Sequence, residues 1–210
     1  MGSDALPGPA PAERPFVGRG GLKLHHALEQ FQIDVHARIC ADLGANVGGF
    51  TDCLLRAGAG RVYAVDTAYG VLDYRLRTDT RVTVMERTNA LHADPPPDAD
   101  KPSLIVMDLG WTPQRLAVPA ALLWLANAQD ARIISLIKPQ YEADRTDARR
   151  APGILEDAEA ERIAHTTAER MPEWGAHALS LVRSPIRGGA TRGVKQGNLE
   201  WLALLSRAAT

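Results

Sequence analysis

The sequence has little of several features that mark specialised classes of protein. Only two of its 210 residues are cysteine, so a disulfide framework is excluded, and we expect Cys40 and Cys53 to be buried free thiols. The formal net charge is −1, so the overall charge does not indicate a polyanion-binding protein. No apolar run reaches the ~18 residues needed to cross a bilayer, and the N-terminal stretch lacks the apolar segment of a signal peptide. We therefore expect a soluble, cytoplasmic protein.

The composition of the first residues differs from that of the remainder. MGSDALPGPAPAERP is rich in proline, alanine and glycine, which predicts a disordered leader over 1–15. Apolar residues make up 45% of the whole sequence, which is enough to bury a full core, and the length is typical of one domain. We therefore expect a single domain over 16–210.

Strand-like and helix-like patterns alternate through the middle of the chain. Short apolar runs predict strands at 38–43, 61–66, 81–86, 103–109, 131–139, 176–186 and 199–207. Helical spacing predicts helices at 20–31, 50–58, 71–77, 113–129 and 155–171. Pro119 should kink the fourth helix or begin its main part. The alternation predicts an α/β fold with a mostly parallel seven-stranded sheet and helices on both faces. Because no helix joins the last two strands, the final one should insert antiparallel.

A glycine-rich segment follows the first predicted strand. DLGANVGGFTDC occupies 42–53, and the second strand ends at Asp66. A glycine turn lets a ligand approach the backbone, and a strand-ending carboxylate can accept hydrogen bonds from both hydroxyls of a ribose. Asn46 replaces the second glycine of the dinucleotide motif, and the acidic Asp42 suits a cationic ligand better than a pyrophosphate. The pattern favours S-adenosylmethionine over a plain tight turn. The predicted cofactor residues here are Asp42, Gly44, Asn46, Gly48, Gly49, Phe50 and Asp66.

Two charged residues end predicted central strands. Asp108 follows LIVM, and Lys138 follows IISLI. A charge at such a position is unfavourable unless it has a role, although an ordinary salt bridge is the alternative. The six histidines show no metal-ligand spacing, so we predict no metal site.

Several sequence blocks together resemble a known enzyme family. FVGRGGLKL, DLGANVGGF, LIVMDL, SLIKPQYEA and KQGNLEWL, at their spacings, resemble the TlyA-like branch of the FtsJ-type ribose 2′-O-methyltransferases. The resemblance covers nearly everything after the leader and implies a Rossmann-like class I methyltransferase fold with S-adenosylmethionine as cofactor. It implies a catalytic tetrad formed by Lys23, Asp108, Lys138 and Glu200. It also implies that Gly44, Asp66 and Asn89 contact the cofactor, Asn89 near the adenine. Asp108 is a further predicted cofactor residue.

The tetrad suits methyl transfer to a hydroxyl, which requires alignment of the acceptor oxygen and removal of its proton. We assign Lys138 as the base, or as the group that orients the lone pair of the acceptor oxygen. A lysine base must be neutral. The neighbouring cation Lys23 favours the neutral form, whereas Asp108 and Glu200 oppose it and hold both ammonium groups in place.

The predicted substrate residues are Arg19, Trp111, Arg187, Arg192 and Lys195. The four basic residues lie in segments flanking Lys23 and Glu200, where they form either a rim for phosphates or ordinary solvated charge. Trp111, shortly after Asp108, can stack on a base.

Three functions follow from these features. The first is methylation of a ribose 2′-hydroxyl in structured, rRNA-like RNA. TlyA-like proteins usually begin with an RNA-binding S4 domain, for which this sequence has no room, so a homodimer or an RNA-binding partner would supply the missing surface. The second is methylation of a small sugar, nucleoside or natural product, which the near-neutral charge and the lack of room for an S4 domain favour. Gly110 and Trp111 in place of the usual Ser-Phe, and 187–198 in place of the usual Gly-Pro-Lys-Gly-Asn block, are departures from the pattern of the rRNA enzymes. The third is a non-catalytic cofactor-binding or haemolysin-like protein, which the intact tetrad and the lack of an amphipathic membrane helix disfavour.

Overall fold

A computed structural model describes residues 15–143, 154–189 and 197–208, and a seven-stranded sheet forms its centre. The strands are β1 (Ile39–Leu43), β2 (Arg61–Val65), β3 (Val82–Met85), β4 (Leu104–Met107), β5 (Arg132–Ile137), β6 (Ala176–Arg183) and β7 (Trp201–Arg207). Their spatial order is β3-β2-β1-β4-β5-β7-β6. β1 to β5 pair in parallel, and β7 inserts antiparallel between β5 and β6. The predicted sheet and its antiparallel final strand are confirmed.

Helices cover both faces of this sheet. They are α1 (Gly20–Phe31), α2 (Gly49–Arg56), α3 (Tyr74–Arg77), α4 (Gln114–Trp124), α5 (Pro139–Glu142) and α6 (Asp157–Glu169). Leu24, Leu54 and Leu76 from α1, α2 and α3 pack against one face. Trp124 of α4 and Ala164 of α6 pack against the other. Among the described residues, none of these helices combines the length and apolar character that a bilayer-crossing segment needs.

Several element boundaries differ from the predicted ones for local reasons. α3 begins only at Tyr74, because the side chain of Asp73 caps it by accepting from the backbone N–H of Arg75 at 2.9 Å. α4 continues through Pro119 and ends at Trp124, after which the backbone becomes extended. β5 ends at Ile137, because Pro139 has no backbone N–H to continue the ladder and begins α5 instead.

The chain order of the strands reverses between β1 and β4. From β1 the chain moves outward through β2 and β3, and then returns to place β4 on the other side of β1. The helices that follow β1 and β4 therefore cover opposite faces, which opens a crevice at the carboxyl ends of these strands. The backbone N–H of Asp108 donates to the carbonyl of Leu43 at 3.1 Å. The glycine-rich turn and Asp108 consequently lie side by side at this crevice.

Candidate active site

A cavity of about 720 Å³ lies at the crevice. Its volume is in the range of small-molecule and cofactor sites. Twelve of the predicted site residues line it, and they are Arg19, Lys23, Gly44, Asn46, Gly49, Phe50, Asp66, Asn89, Asp108, Trp111, Lys138 and Glu200. The sheet thus brings residues from the whole length of the chain to one place.

The four predicted catalytic side chains meet at this cavity from four different elements. Lys23 Nζ lies 2.5 Å from Glu200 Oε2 and 4.0 Å from Asp108 Oδ2. Lys138 Nζ forms an ion pair with Asp108 Oδ1 and donates to the carbonyl of Leu109 at 3.4 Å. A continuous row of alternating charges therefore runs from Glu200 through Lys23 and Asp108 to Lys138.

The two ends of this row differ in their access to solvent. Lys23 and Glu200 are only 7% and 3% exposed, and burying an ion pair is tolerated only when each charge is matched. The side chains of Lys138 and Asp108 are more open and face the cavity. Lys23 and Glu200 therefore form the buried end of the row of charges. Lys138 and Asp108 form the open end and reach the space that a substrate would occupy.

The glycine turn is packed directly against the strand end that carries Asp108. Gly44 has φ +93°, and a Cβ at this position would lie 2.7 Å from the carbonyl oxygen of Asp108. A side chain is therefore excluded by both backbone conformation and space. Asp66 holds the turn from the other side, because its carboxylate accepts from the backbone N–H groups of Asn46 and Ala68, both at 2.8 Å.

Two predicted cofactor residues lie outside the cavity lining. Gly48 precedes α2 as its N-cap, has backbone angles in the left-handed region and faces Leu72 and Leu76. Asp42 is fully buried, and its Oδ2 accepts from the Thr51 hydroxyl at 2.7 Å while Oδ1 has no partner among the described residues. Burial raises the pKa of Asp42 to about 7, and the nearby charge of Asp108 acts in the same direction. Contact of Gly48 and Asp42 with a cofactor stays a prediction.

The predicted basic residues are divided between the cavity and its surroundings. Arg19 lines the cavity, and its Nη2 donates to the carbonyl of Arg187 at 2.9 Å. The guanidinium of Arg187 lies outside the lining and pairs with Asp157 at 2.7 and 2.9 Å. Arg192 and Lys195 lie outside the described residues.

An aromatic pair stands at the edge of the cavity. Trp111 is 79% exposed, and its ring centroid lies 5.2 Å from that of Tyr141 with the planes tilted by 32°. Its φ of +59° is an unusual, strained value for a bulky residue. Tyr141 and Gln140 also line the cavity and were not singled out in the sequence. The sequence carried one signal for these residues, which is their position just after Lys138 at the end of β5. Ligands of α/β proteins bind at the carboxyl ends of such strands.

A half-buried carboxylate fixes the turn that carries these two residues. Glu142, in α5, accepts from the backbone N–H of Gln114, the first residue of α4, at 2.9 Å. The side chain of Gln114 accepts from the Ser135 hydroxyl at 2.6 Å and donates to the Leu136 carbonyl at 3.2 Å. Burial raises the pKa of Glu142 to about 7. α5 is therefore tied to both α4 and β5.

The described residues contain no group of three or more His, Cys, Asp or Glu side chains that could hold a metal ion.

Comparison with known proteins decides the family. The model of the FtsJ-like methyltransferase family matches residues 16–192. The chain belongs to the FtsJ-like methyltransferase family. The predicted family and the predicted class of enzyme are thereby confirmed. Structures of S-adenosylmethionine-dependent methyltransferases at 14% identity match with TM-scores of 0.62 and 0.58, which confirms the Rossmann-like fold.

Similar proteins within this family carry two kinds of name. The "16S/23S rRNA (cytidine-2'-O)-methyltransferase TlyA" of Mycobacterium tuberculosis is 38% identical over 195 residues, covering 92% of this chain and 69% of that protein. "Hemolysin A" of Brachyspira hyodysenteriae is 37% identical over 189 residues, covering 90% and 75%. A structure described as a hemolysin from Streptococcus thermophilus is 36% identical with a TM-score of 0.82, covering 93% and 68%.

The buried Asp42 should make the stability of this methyltransferase depend on pH. Its pKa is about 7 in the folded chain against 3.8 without burial, so the folded state binds the proton more tightly and stability falls as pH rises from about 4 to about 7. The Asp42→Asn variant lacks the titrating carboxyl group and therefore should not lose stability over this pH range. The variant should gain stability over the wild type across this window, by up to about 4 kcal/mol, with a plateau above pH 8. Urea unfolding at a series of pH values measures it.

The control for this series is Asp94→Asn, because Asp94 is exposed. Its stability curve should run parallel to that of the wild type. A constant difference between Asp42→Asn and the wild type from pH 4 to 8 would show that Asp42 is charged in the folded chain.

Two adjacent glycines allow a matched test of the Glu200 position. A Cβ on Gly188 would lie 2.7 Å from Glu200 Oε1, whereas a Cβ on Gly189 meets nothing within 4 Å. Gly188→Ala should displace the Glu200 carboxylate from Lys23, costing about 1–3 kcal/mol of unfolding free energy and most of the methyl-transfer activity. Gly189→Ala should change neither quantity. Equal behaviour of the two variants would contradict this packing.

Proposed function

We propose that this methyltransferase uses S-adenosylmethionine to methylate a ribose 2′-hydroxyl of ribosomal RNA. The observation that carries the proposal is the meeting of Lys23, Asp108, Lys138 and Glu200 at one cavity. The name of the M. tuberculosis relative, an rRNA (cytidine-2′-O)-methyltransferase, supports the RNA acceptor.

The residues of the cavity fit this cofactor. The glycine turn leaves backbone exposed to the cavity at Gly44, where a Cβ would clash with Asp108. Asp66 and Asn89 line the same cavity, and we assign them to the ribose and the adenine. When bound, S-adenosylmethionine supplies a methyl carbon activated by a positively charged sulfur.

The acceptor hydroxyl is handled by Lys138 and Asp108. Lys138 Nζ takes the proton of the 2′-hydroxyl or orients the lone pair of its oxygen, and the Asp108 carboxylate holds the ammonium group of Lys138. The carbonyl of Leu109 also accepts from Lys138, which fixes the direction of the amine. Lys23 and Glu200 keep Asp108 in place, so the acceptor oxygen meets an aligned base.

RNA is bound at the open edge of the cavity. Trp111 presents an exposed aromatic face for stacking on a base. Arg19 lies in the lining and offers a guanidinium to a phosphate. Arg187, whose carbonyl accepts from Arg19, is proposed for the same contact, and a phosphate role for Arg192 and Lys195, which lie outside the described residues, stays a prediction from the sequence. A ribosomal RNA acceptor is consistent with action in the cytoplasm, alone, as a homodimer or with an RNA-binding partner.

Replacement of the proposed base tests the reaction. Lys138→Ala should lower methylation of ribosomal RNA by at least about 100-fold, because general-base catalysis contributes 10²–10⁴-fold. Binding of S-adenosylmethionine should persist, because the cofactor residues proposed above are intact. The measurement is transfer of labelled methyl groups to total ribosomal RNA, together with calorimetric titration of the cofactor.

Lys101→Ala is the matched control, since Lys101 pairs with Asp98 away from the cavity and should leave the rate unchanged. Full activity of Lys138→Ala would overturn the assignment of the base. Labelling of a panel of nucleosides and sugars, with no labelling of RNA, would establish the small-molecule alternative. Cofactor binding with no labelled acceptor of either kind would favour a non-catalytic role.

A further inference from the structure

The loop after β4 and the segment after β5 form one wall of the cavity. The loop runs from Asp108 to the start of α4 and carries Trp111, and the segment comprises Lys138 and α5. Asp66 and Asn89, which we assign to the cofactor, follow β2 and β3 instead. In the strand order β2 and β3 lie on one side of β1, whereas β4 and β5 lie on the other. The wall therefore belongs to the part of the cavity that the proposed reaction gives to the acceptor.

Two contacts at the cavity join the loop to the segment that contains α5. Lys138 Nζ donates to the carbonyl of Leu109 at 3.4 Å. The ring of Tyr141 lies 5.2 Å from that of Trp111, and its centre lies 5.7 Å from Lys138 Nζ. The positions of the amine and of the aromatic pair consequently depend on how firmly the loop is held against α5.

A third contact holds the two segments together behind the wall. Glu142 Oε1 accepts from the backbone N–H of Gln114 at 2.9 Å, and neither residue lines the cavity. The first backbone N–H groups of a helix have no acceptor within it, and Pro113, which precedes α4, supplies none from a side chain. Gln114 is only 4% exposed, so water has little access to it. Glu142 therefore provides, from another element, the cap that the sequence of α4 lacks.

Backbone strain in the loop shows what this cap has to hold. Trp111 has φ +59°, a conformation that a bulky residue keeps only when its surroundings impose it. The loop is held at both ends, by the Lys138 contact described above and by the hydrogen bond from Gln114 to Glu142. Loss of the second anchor should let Trp111 leave its strained conformation.

We propose that Glu142 is a positioning residue for the acceptor, which clamps the loop after β4 to α5 and thereby holds Trp111 and Lys138 in the arrangement that methyl transfer requires. This inference rests on the proposed RNA methylation and extends it to a residue outside the cavity. Because Glu142 lies outside the lining, it acts through the backbone N–H of Gln114 rather than by contact with RNA.

Glu142→Ala removes the acceptor and tests the clamp. Methylation of ribosomal RNA is measured per cofactor-binding site, counted by calorimetric titration, so that a smaller folded fraction is not mistaken for a slower reaction. kcat/KM for RNA should fall about 10–100-fold, because a small misplacement of aligned groups has effects of this size. The affinity for S-adenosylmethionine should not change, because the residues assigned to the cofactor are not part of the clamp.

Trp111 reports on the loop directly. The difference in fluorescence anisotropy decay between a chain with Trp111 and the same chain with Trp111→Phe isolates the motion of this ring. The decay should be faster in Glu142→Ala than in the wild type. Glu142→Met keeps an unbranched side chain and also lacks the acceptor, so it should behave like the alanine variant and retains a readout if that variant folds poorly.

Two controls separate the clamp from a general loss of stability. Glu142→Gln keeps an oxygen acceptor and should restore most of the kcat/KM. Asp73 is likewise half-buried, and its carboxylate accepts from the backbone N–H of Arg75 at 2.9 Å at the start of α3, outside the cavity lining. Asp73→Ala therefore removes a cap of the same kind and should keep the wild-type kcat/KM per site.

The outcomes separate this inference from the proposed function. A wild-type chain that labels no RNA overturns both. If the wild type labels RNA, an unchanged kcat/KM in Glu142→Ala and Glu142→Met overturns the inference and leaves RNA methylation standing, and so does unchanged motion of Trp111. A loss of equal size in Glu142→Gln or Asp73→Ala has the same consequence, since the first keeps the acceptor and the second leaves the clamp intact. A loss confined to the variants without the acceptor, with faster motion of Trp111, supports the inference.

Discussion

The ion pair between Lys23 and Glu200 is the constraint on which the site depends. It joins the first helix to the residue before the last strand, across 177 positions of sequence, and both side chains are buried. Two charges in such a place are stable only when they face each other. The pair therefore fixes α1 against the start of β7, which itself lies between β5 and β6. Asp108 and Lys138, at the ends of β4 and β5, are then held opposite Lys23.

The two ion pairs of the site divide its tasks. The buried pair is shielded from solvent and keeps its geometry, whereas the Lys138–Asp108 pair is open to the cavity and can exchange its contact for a substrate hydroxyl. The glycine turn lies next to Asp108, so the proposed cofactor and the proposed base share one strand edge. Backbone strain at Trp111, on the same edge, accompanies an exposed aromatic face.

Much of this arrangement could be predicted from the sequence, because a charged residue that ends an apolar run marks the end of a strand. Asp108 and Lys138 end apolar runs, and topology alone brings such ends together. Lys23 gave no such signal, because burial of a helix lysine depends on a partner far along the chain, and only the family resemblance indicated it. α5 was missed, since four residues show no helical period, and with it Gln140, Tyr141 and the capping role of Glu142. The pairing of Arg187 with Asp157 is likewise a tertiary contact without a local pattern.

A double-mutant cycle on the buried pair tests the central claim most directly. Lys23→Met, Glu200→Gln and the double variant are compared by unfolding free energy and by kcat/KM for RNA methylation. Each single variant should lose about 3–5 kcal/mol of stability, because it leaves an unmatched buried charge, and the double variant should lose clearly less than their sum. All three should be equally impaired in methyl transfer. Additive losses in both quantities would show that the two side chains act independently, and would contradict the account.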